Sequence, residues 1–425
     1  MKATKSAPAG RSWRLLCAWL VVLAAGCTSL SREAAVPADL QDRAVLPGMG
    51  PQVRTWGGAI NPAFMETMRR SVEWERDAAN EPDRGGAMST ANFLAISGGG
   101  SNGAFGAGLL CGWTEAGDRP TFKLVTGVST GALIAPFAYL GPEYDRVLRE
   151  VYTKTKTEDI LQERGVIGGL FSDAMADTKP LWKTLSRHVD QALLDAIAAE
   201  YRKGRMLLIG TTNLDAERAV LWNIGEIAAS GNPNSLEIVR RIMIASASIP
   251  GAFPPVFFDV EVDGKKYQEM HVDGGAMTQV FLYPPSLKLR QAAAAVGVTR
   301  ERRAYVIRNA RLDPNWADTE RSTMSILMRA VDALLQTQGV GDLYRSYVNA
   351  QRDGVDFNLA YIPASFKVES KEPFDPEYMT QLFQVGFDLA KNGYRWDKTP
   401  PWFEGPPGEP RADTGVQGGP SDARH

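Results

Sequence analysis

Apolar positions along this chain follow two rhythms. Short continuous runs, at Phe93-Leu94-Ala95-Ile96, Phe122 to Thr126 and Met206 to Thr211, read as strands buried on both faces. Between them, apolar residues recur at near-four spacings, most clearly at Leu181, Leu185, Val189, Leu193 and Ile197. That spacing predicts one long helix over 181–202. Further helices are expected at 104–115, 132–140, 235–247, 322–349 and 376–391. Asn61-Pro62 offers an N-cap with proline at the first helical position, so a helix should run from there to about Ala79. Strands are expected at 219–223, 305–309 and 356–362. Two more, at 257–262 and 266–272, flank the hairpin signal Asp263-Gly264. Strands alternating with helices predict an α/β fold with a mostly parallel core.

The two ends read differently. Lys2, Lys5, Arg11 and Arg14 precede the apolar run Leu15 to Ala25, which is too short to cross a bilayer and has the layout of an export signal. Leu23-Ala24-Ala25-Gly26-Cys27 then resembles a bacterial lipobox, which implies lipid attachment at Cys27 and delivery to the cell envelope. Thr28 after the cysteine favours the outer membrane. Residues 28–58, rich in Ala, Pro and Gly without periodicity, read as a tether. The tail from Thr399, with its Pro-Pro and Gly-Gly pairs, reads as disordered.

Composition narrows the function. With 44% hydrophobic and 23% charged residues the chain is ordinary globular protein, and its net charge of −2 gives no support to a nucleic-acid partner. Of three cysteines, Cys17 leaves with the signal and Cys27 carries lipid. Cys111 remains as a buried small hydrophobe with no disulfide partner. No Cys-x-x-Cys or His-Glu-x-x-His occurs, so neither a metal nor another cofactor is expected.

Three motifs carry chemistry. Gly127-Val128-Ser129-Thr130-Gly131 is a G-x-S-x-G sequence between a predicted strand and a predicted helix. There the glycines permit a sharp turn, and the helix N-terminus offers unpaired N–H groups beside the serine. Gly98-Gly99-Gly100-Ser101-Asn102-Gly103 also joins strand to helix, and its backbone N–H groups can approach an oxyanion. The same glycines match the dinucleotide spacing Gly98-x-Gly100-x-x-Gly103. The next strand ends in Gly127 without the required carboxylate, so that reading is set aside. Asp273-Gly274-Gly275 places a carboxylate at a strand end, and His271, two residues earlier, shares its face of the strand. Asp273 is the better candidate base, with His271 read as a packed strand histidine.

This ordered set resembles the patatin-like phospholipase family. Thr211-Thr212-Asn213-Leu214-Asp215 and the stretch Ala245 to Pro255, with its Phe253-Pro254-Pro255, are similar to further family segments. The resemblance implies a three-layer α/β/α fold with a mostly parallel central sheet. It implies Ser129 as nucleophile, Asp273 as base, an oxyanion hole from Gly98, Gly99 and Gly100, and Gly103, Gly127, Gly131, Gly274 and Gly275 as supporting turn residues. Family loops often carry Arg or Lys where this chain has Asn102, so one positive charge is missing there. The expected organisation is a signal peptide over 1–26, a lipidated tether and helix over 27–90, a hydrolase domain over 91–395 and a tail over 396–425. The expected activity is lipid acyl hydrolysis on an ester substrate, with the membrane reached through the lipid anchor. The alternatives are an acyltransferase using the same dyad and a non-catalytic envelope lipoprotein that binds acyl chains.

Overall fold

Nearly all the predicted elements are found, and their alternating side chains build two cores. A computed structural model describes residues 31–79, 88–163, 174, 176–314 and 316–403. The expected signal peptide and Cys27 lie outside the described residues, as does the tail beyond Phe403. In chain order the strands are β1 (Arg54–Trp56), β2 (Ala91–Ile96), β3 (Phe122–Val128), β4 (Gln162–Glu163), β5 (Ala176–Asp177), β6 (Met206–Asn213), β7 (Arg218–Asn223), β8 (Val256–Val262), β9 (Lys265–Asp273), β10 (Arg302–Arg308) and β11 (Asp356–Tyr361). β4 and β5 form a separate small hairpin.

The other nine strands form one mixed sheet. Its parallel centre runs β6-β3-β2-β10-β11, extended by antiparallel β7 and β1, and the β8–β9 hairpin joins through β9. Because side chains alternate along a strand, Leu94 and Ile96 enter one core with Phe105, Leu109 and Leu382. Phe93 and Ala95 enter the other, with Phe64, Leu343 and Tyr347. Helices Gly103–Ala116, Thr130–Leu140 and Pro376–Lys391 cover the first face, and Pro62–Ala78 and Thr323–Asp353 the second. The sheet is thus flanked by helices on both sides.

One junction positions everything that follows. β3 pairs along one edge of β6 as far as Val128 opposite Gly210, and at the next residue β9 takes over that edge with Asp273 opposite Thr211. β9 runs antiparallel to β6, so the carboxyl ends of β3 and β9 meet head-on.

Three expectations are corrected. The long helix over 181–202 is two helices, Lys179–His188 and Gln191–Arg202. Asp190 breaks it, because its carboxylate caps the second helix by accepting from Leu193 N–H at 2.9 Å. The supposed tether is no free linker from residue 31 onward. Arg32 makes a two-pronged ion pair with Asp215, Gln268 N–H donates to the Ala34 carbonyl, Leu46 and Val53 are buried, and β1 pairs with β7. Aperiodic sequence here means an extended strap with irregular burial. The folded body therefore begins near Arg32 rather than residue 91. Residues 396–403 also belong to it: Trp396 packs on Trp113 and Tyr305, and Phe403 on Tyr347.

Candidate active site

Ser129 stands where β3 turns into the helix Thr130–Leu140, with φ +54° and ψ −126°, a conformation that costs a non-glycine residue about 1–3 kcal/mol. The surroundings hold it there. Its N–H donates to Ser246 Oγ at 3.0 Å, and Ser246 Oγ in turn donates to the Gly210 carbonyl at 2.6 Å. Its carbonyl accepts from Ala132 N–H at 2.8 Å, the first bond of the helix. Both motif glycines are required by close approach. A Cβ on Gly127 would lie 2.4 Å from the Gly131 carbonyl oxygen, and one on Gly131 would lie 2.2 Å from that of Ile96.

Asp273 ends β9 at the head-on junction. Its N–H donates to the Ser248 carbonyl at 2.8 Å, and its Oδ1 accepts from Gly275 N–H at 2.7 Å. Oδ2 is buried and has no hydrogen-bond partner. Among the described residues no cation acts on this carboxylate, so burial raises its pKa to about 7, against the opposing pull of the Ser129 hydroxyl and the Gly275 N–H. The hydroxyl therefore stands within electrostatic reach of the carboxyl without meeting the geometry of a closed hydrogen bond. Such bonds are often long before substrate binds. At neutral pH the carboxylate is close to half ionised, matched to accepting and returning a proton.

The glycine loop approaches the same point. A Cβ on Gly98 would lie 3.2 Å from Ser129 Cβ, which fixes the loop beside the serine. Gly98 itself is corrected as an oxyanion donor, because its N–H is already given to the Gln279 carbonyl at 3.0 Å. The N–H groups of Gly99 and Gly100 have no intramolecular acceptor among the described residues. Gly99, at φ +156°, runs so close to Asn309 that a Cβ would come within 2.3 Å of its carbonyl oxygen. Asn309 Nδ2 also donates to the Ser97 carbonyl at 2.9 Å, and its Oδ1 accepts from Gly106 N–H at 3.0 Å. Gly103 packs on Thr130, and Asn102 accepts from the Tyr378 hydroxyl at 2.5 Å, so its side chain ties the loop to the helix Pro376–Lys391.

Gln279 is a residue the sequence did not expose. Beyond holding Gly98, it donates from Nε2 to the Gly275 carbonyl at 3.1 Å, and its N–H donates to Asp342 Oδ2 at 2.6 Å. One residue thus joins the glycine loop, the Asp-Gly-Gly turn and the helix Thr323–Asp353. Ser246 and Ser248 lie in the stretch Ala245 to Pro255, whose sequence does not reveal that one holds the nucleophile and the other the base.

His271 is not free to act. Trp222 Nε1–H donates to Thr211 Oγ1 at 2.8 Å, and Thr211 Oγ1 lies 2.9 Å from His271 Nδ1. His271 Nε2 lies 3.1 Å from Glu269 Oε2, and Glu269 pairs with Arg54 at 2.5 Å. Since the ionised Glu269 carboxylate can only accept, the proton of the ring sits on Nε2, and the threonine hydroxyl, which accepts from the tryptophan, donates onward to Nδ1. Burial lowers the His271 pKa, and Glu269 opposes that shift. Burial alone would raise Glu269, but Arg54 and His271 outweigh it and hold the carboxyl at about 2. Both imidazole nitrogens are committed to structure. Cys111 is likewise buried, with its thiol pushed up to about 12. Among the described residues, no cluster of acidic, histidine or cysteine side chains fits a metal ion, and no helix is long and apolar enough to cross a membrane.

Residues 94–283 match the patatin-like phospholipase family, a span that contains Ser129, Asp273 and the glycine loop. This segment is thus similar to patatin-like phospholipase domains. The patatin-like family is one of lipid acyl hydrolases, which sets the broad class of reaction. Among curated proteins none matches the chain. Among solved structures, VipD from Legionella pneumophila aligns over 72% of this chain and 67% of its own, with 11% identity and a TM-score of 0.30.

Proposed function

We propose that the patatin-like domain cleaves acyl esters of lipids with Ser129 as nucleophile and Asp273 as its base. The observation that carries this reading is the buried, unpaired Oδ2 of Asp273 at the junction where Ser129 leaves β3. Ser129 Oγ attacks the ester carbonyl carbon while its proton passes to Asp273. The carbonyl oxygen takes the negative charge beside the Gly99 and Gly100 N–H groups, each donor supplying about 3–4 kcal/mol in comparable sites. The intermediate collapses to an acyl-serine, and the alcohol leaves with the proton from Asp273. Water, deprotonated by Asp273, then releases the fatty acid and restores the serine. Purified protein and a Ser129→Ala control, incubated with phospholipid vesicles, are compared by mass spectrometry of the released lipids. Release by the wild type alone is expected, and equal release from both overturns the assignment.

The N-terminal sequence supports export and acylation at Cys27, placing the domain on the envelope, with the outer membrane as its proposed location. The strap is anchored from Arg32, five residues after Cys27, so the described body begins close to the proposed anchor. The mouth of the site would then meet the leaflet in a narrow range of orientations. Cys27→Ser should move the protein from the membrane fraction to the soluble fraction while hydrolysis of a soluble ester is unchanged. Wild-type protein found wholly soluble overturns the anchor.

A further inference from the structure

An apolar cavity lies at the end of the sheet opposite the candidate active site. It occupies about 320 Å³ between the helix Pro62–Ala78, the starts of β2, β3 and β6, and the helix Leu289–Ala295. Its walls are almost wholly apolar, with Met65, Met68, Phe93, Leu124, Met206 and Ala292 among them. Leu124 precedes Ser129 by five residues of near-extended chain, a span of roughly 16 Å, so the cavity is separate from the candidate active site.

The charged groups at its edge do not balance. Lys123 and Arg300 both pair with the one carboxylate of Glu75, at 2.6 and 2.5 Å. Arg302, half-buried on the cavity wall, has no carboxylate within ion-pair distance among the described residues, and its guanidinium donates only to the Arg300 carbonyl at 3.4 Å. Asp353 is near enough to favour the charged guanidinium, but it is no ion-pair partner of Arg302 and its carboxylate already accepts from Arg352, Tyr283 and the Arg290 N–H. Arg69, at the rim, is paired with Glu66 and Glu73. An apolar chamber thus opens beside an excess of positive charge that the protein does not neutralise. Burial lowers the Arg302 pKa, which a neighbouring anion would reverse.

We propose that this cavity binds one long-chain carboxylate, with its tail between the helix Pro62–Ala78 and the sheet and its head group on Arg302. The volume sits at the low end of small-molecule sites, about 300–1,000 Å³, which suits one acyl chain rather than two. Three methionines in the wall suit a flexible alkyl tail, because their unbranched side chains adapt to shape. The inference does not depend on Ser129 being catalytic.

Calorimetric titration of the full chain with decanoate, dodecanoate and 1-dodecanol tests it. Dodecanoate should bind, and each added methylene should tighten binding about fourfold while the tail still fits. The uncharged alcohol should bind at least tenfold more weakly. Arg302→Met should weaken dodecanoate about tenfold, Arg302→Lys should recover part of that loss, and Ala292→Phe should abolish binding by filling the chamber. Thermal melts establish that each variant is folded, independently of any esterase activity. Ser129→Ala and protein labelled with a fluorophosphonate should bind as the wild type does. The proposal is overturned if dodecanoate does not bind, if dodecanol binds as tightly, or if folded Arg302→Met and Ala292→Phe keep wild-type affinity. Loss of binding on fluorophosphonate labelling would place the ligand in the candidate active site and overturn it too.

Discussion

The two ends of the sheet are built for opposite tasks. At the carboxyl end the backbone around the reacting groups is held by specific partners: Ser246 holds Ser129, Ser248 and Gly275 hold Asp273, and Gln279 and Asn309 hold the glycine loop. At the amino end a chamber lined by methionine, alanine and valine leaves one guanidinium without an ion-pair partner among the described residues. The first arrangement fixes atoms to a fraction of an ångström, as bond-making requires. The second tolerates variation in shape and selects by charge and length. The same strands supply both, which explains how one sheet carries sites of unlike character.

The strongest way to break this contrast is to remove the reacting atoms. Ser129→Ala or Asp273→Asn should lower kcat by ~1,000-fold or more and leave dodecanoate affinity at the far end unchanged. Activity within tenfold of wild type in either variant removes the dyad. The next effect concerns the pinning itself. Ser246→Ala strands the Ser129 N–H, a loss of about 1–3 kcal/mol, and should lower kcat about 10–100-fold at near-constant KM. An unchanged kcat would mean that the elbow holds itself.

The pH profile sharpens the same end. Turnover needs the ionised carboxylate, so it should rise with pH through a single step near 7 and fall about tenfold from pH 8 to pH 6. Stability runs the other way. Between the ordinary aspartate value of 3.8 and about 7 the folded chain keeps this proton while the unfolded chain loses it. The contribution of Asp273 to folding is therefore greatest below that window, declines through it and levels off above about 7. Urea unfolding should find Asp273→Asn more stable than wild type at pH 8, with the difference vanishing near pH 4. A pH-independent difference contradicts the raised pKa. The smallest effect on turnover is expected from His271→Ala, less than about threefold, despite a stability loss of about 2–4 kcal/mol from leaving Glu269 and Thr211 short of a partner. A loss of several hundredfold in folded protein would instead make the imidazole the base.

What the sequence revealed follows the range of the forces involved. The G-x-S-x-G turn, the Asn61 cap and the Asp263-Gly264 hairpin, with both residues at positive φ, obey backbone rules acting within a few residues. The continuous apolar runs located the central strands for the same reason. The strap from Arg32 to Trp56 escaped notice because its partners, Asp215, Gln268 and β7, lie far away in the chain. The break at Asp190 was hidden by apolar spacing that continues across it. Gln279, Ser246 and Ser248 carry no motif, since their roles arise only when distant segments meet. Gly98 was legible as part of the loop, but its commitment to Gln279 was not.

The head-on meeting of β3 and β9 on one edge of β6 also sets a timetable. A chain emerging from its N-terminus makes Ser129 early, yet no base stands beside it until the last hairpin of the core has been synthesised and docked. Contacts so distant in sequence form late. A partly folded or truncated chain therefore carries the serine without its partner, and the proposed dyad exists only once β9 has docked on β6.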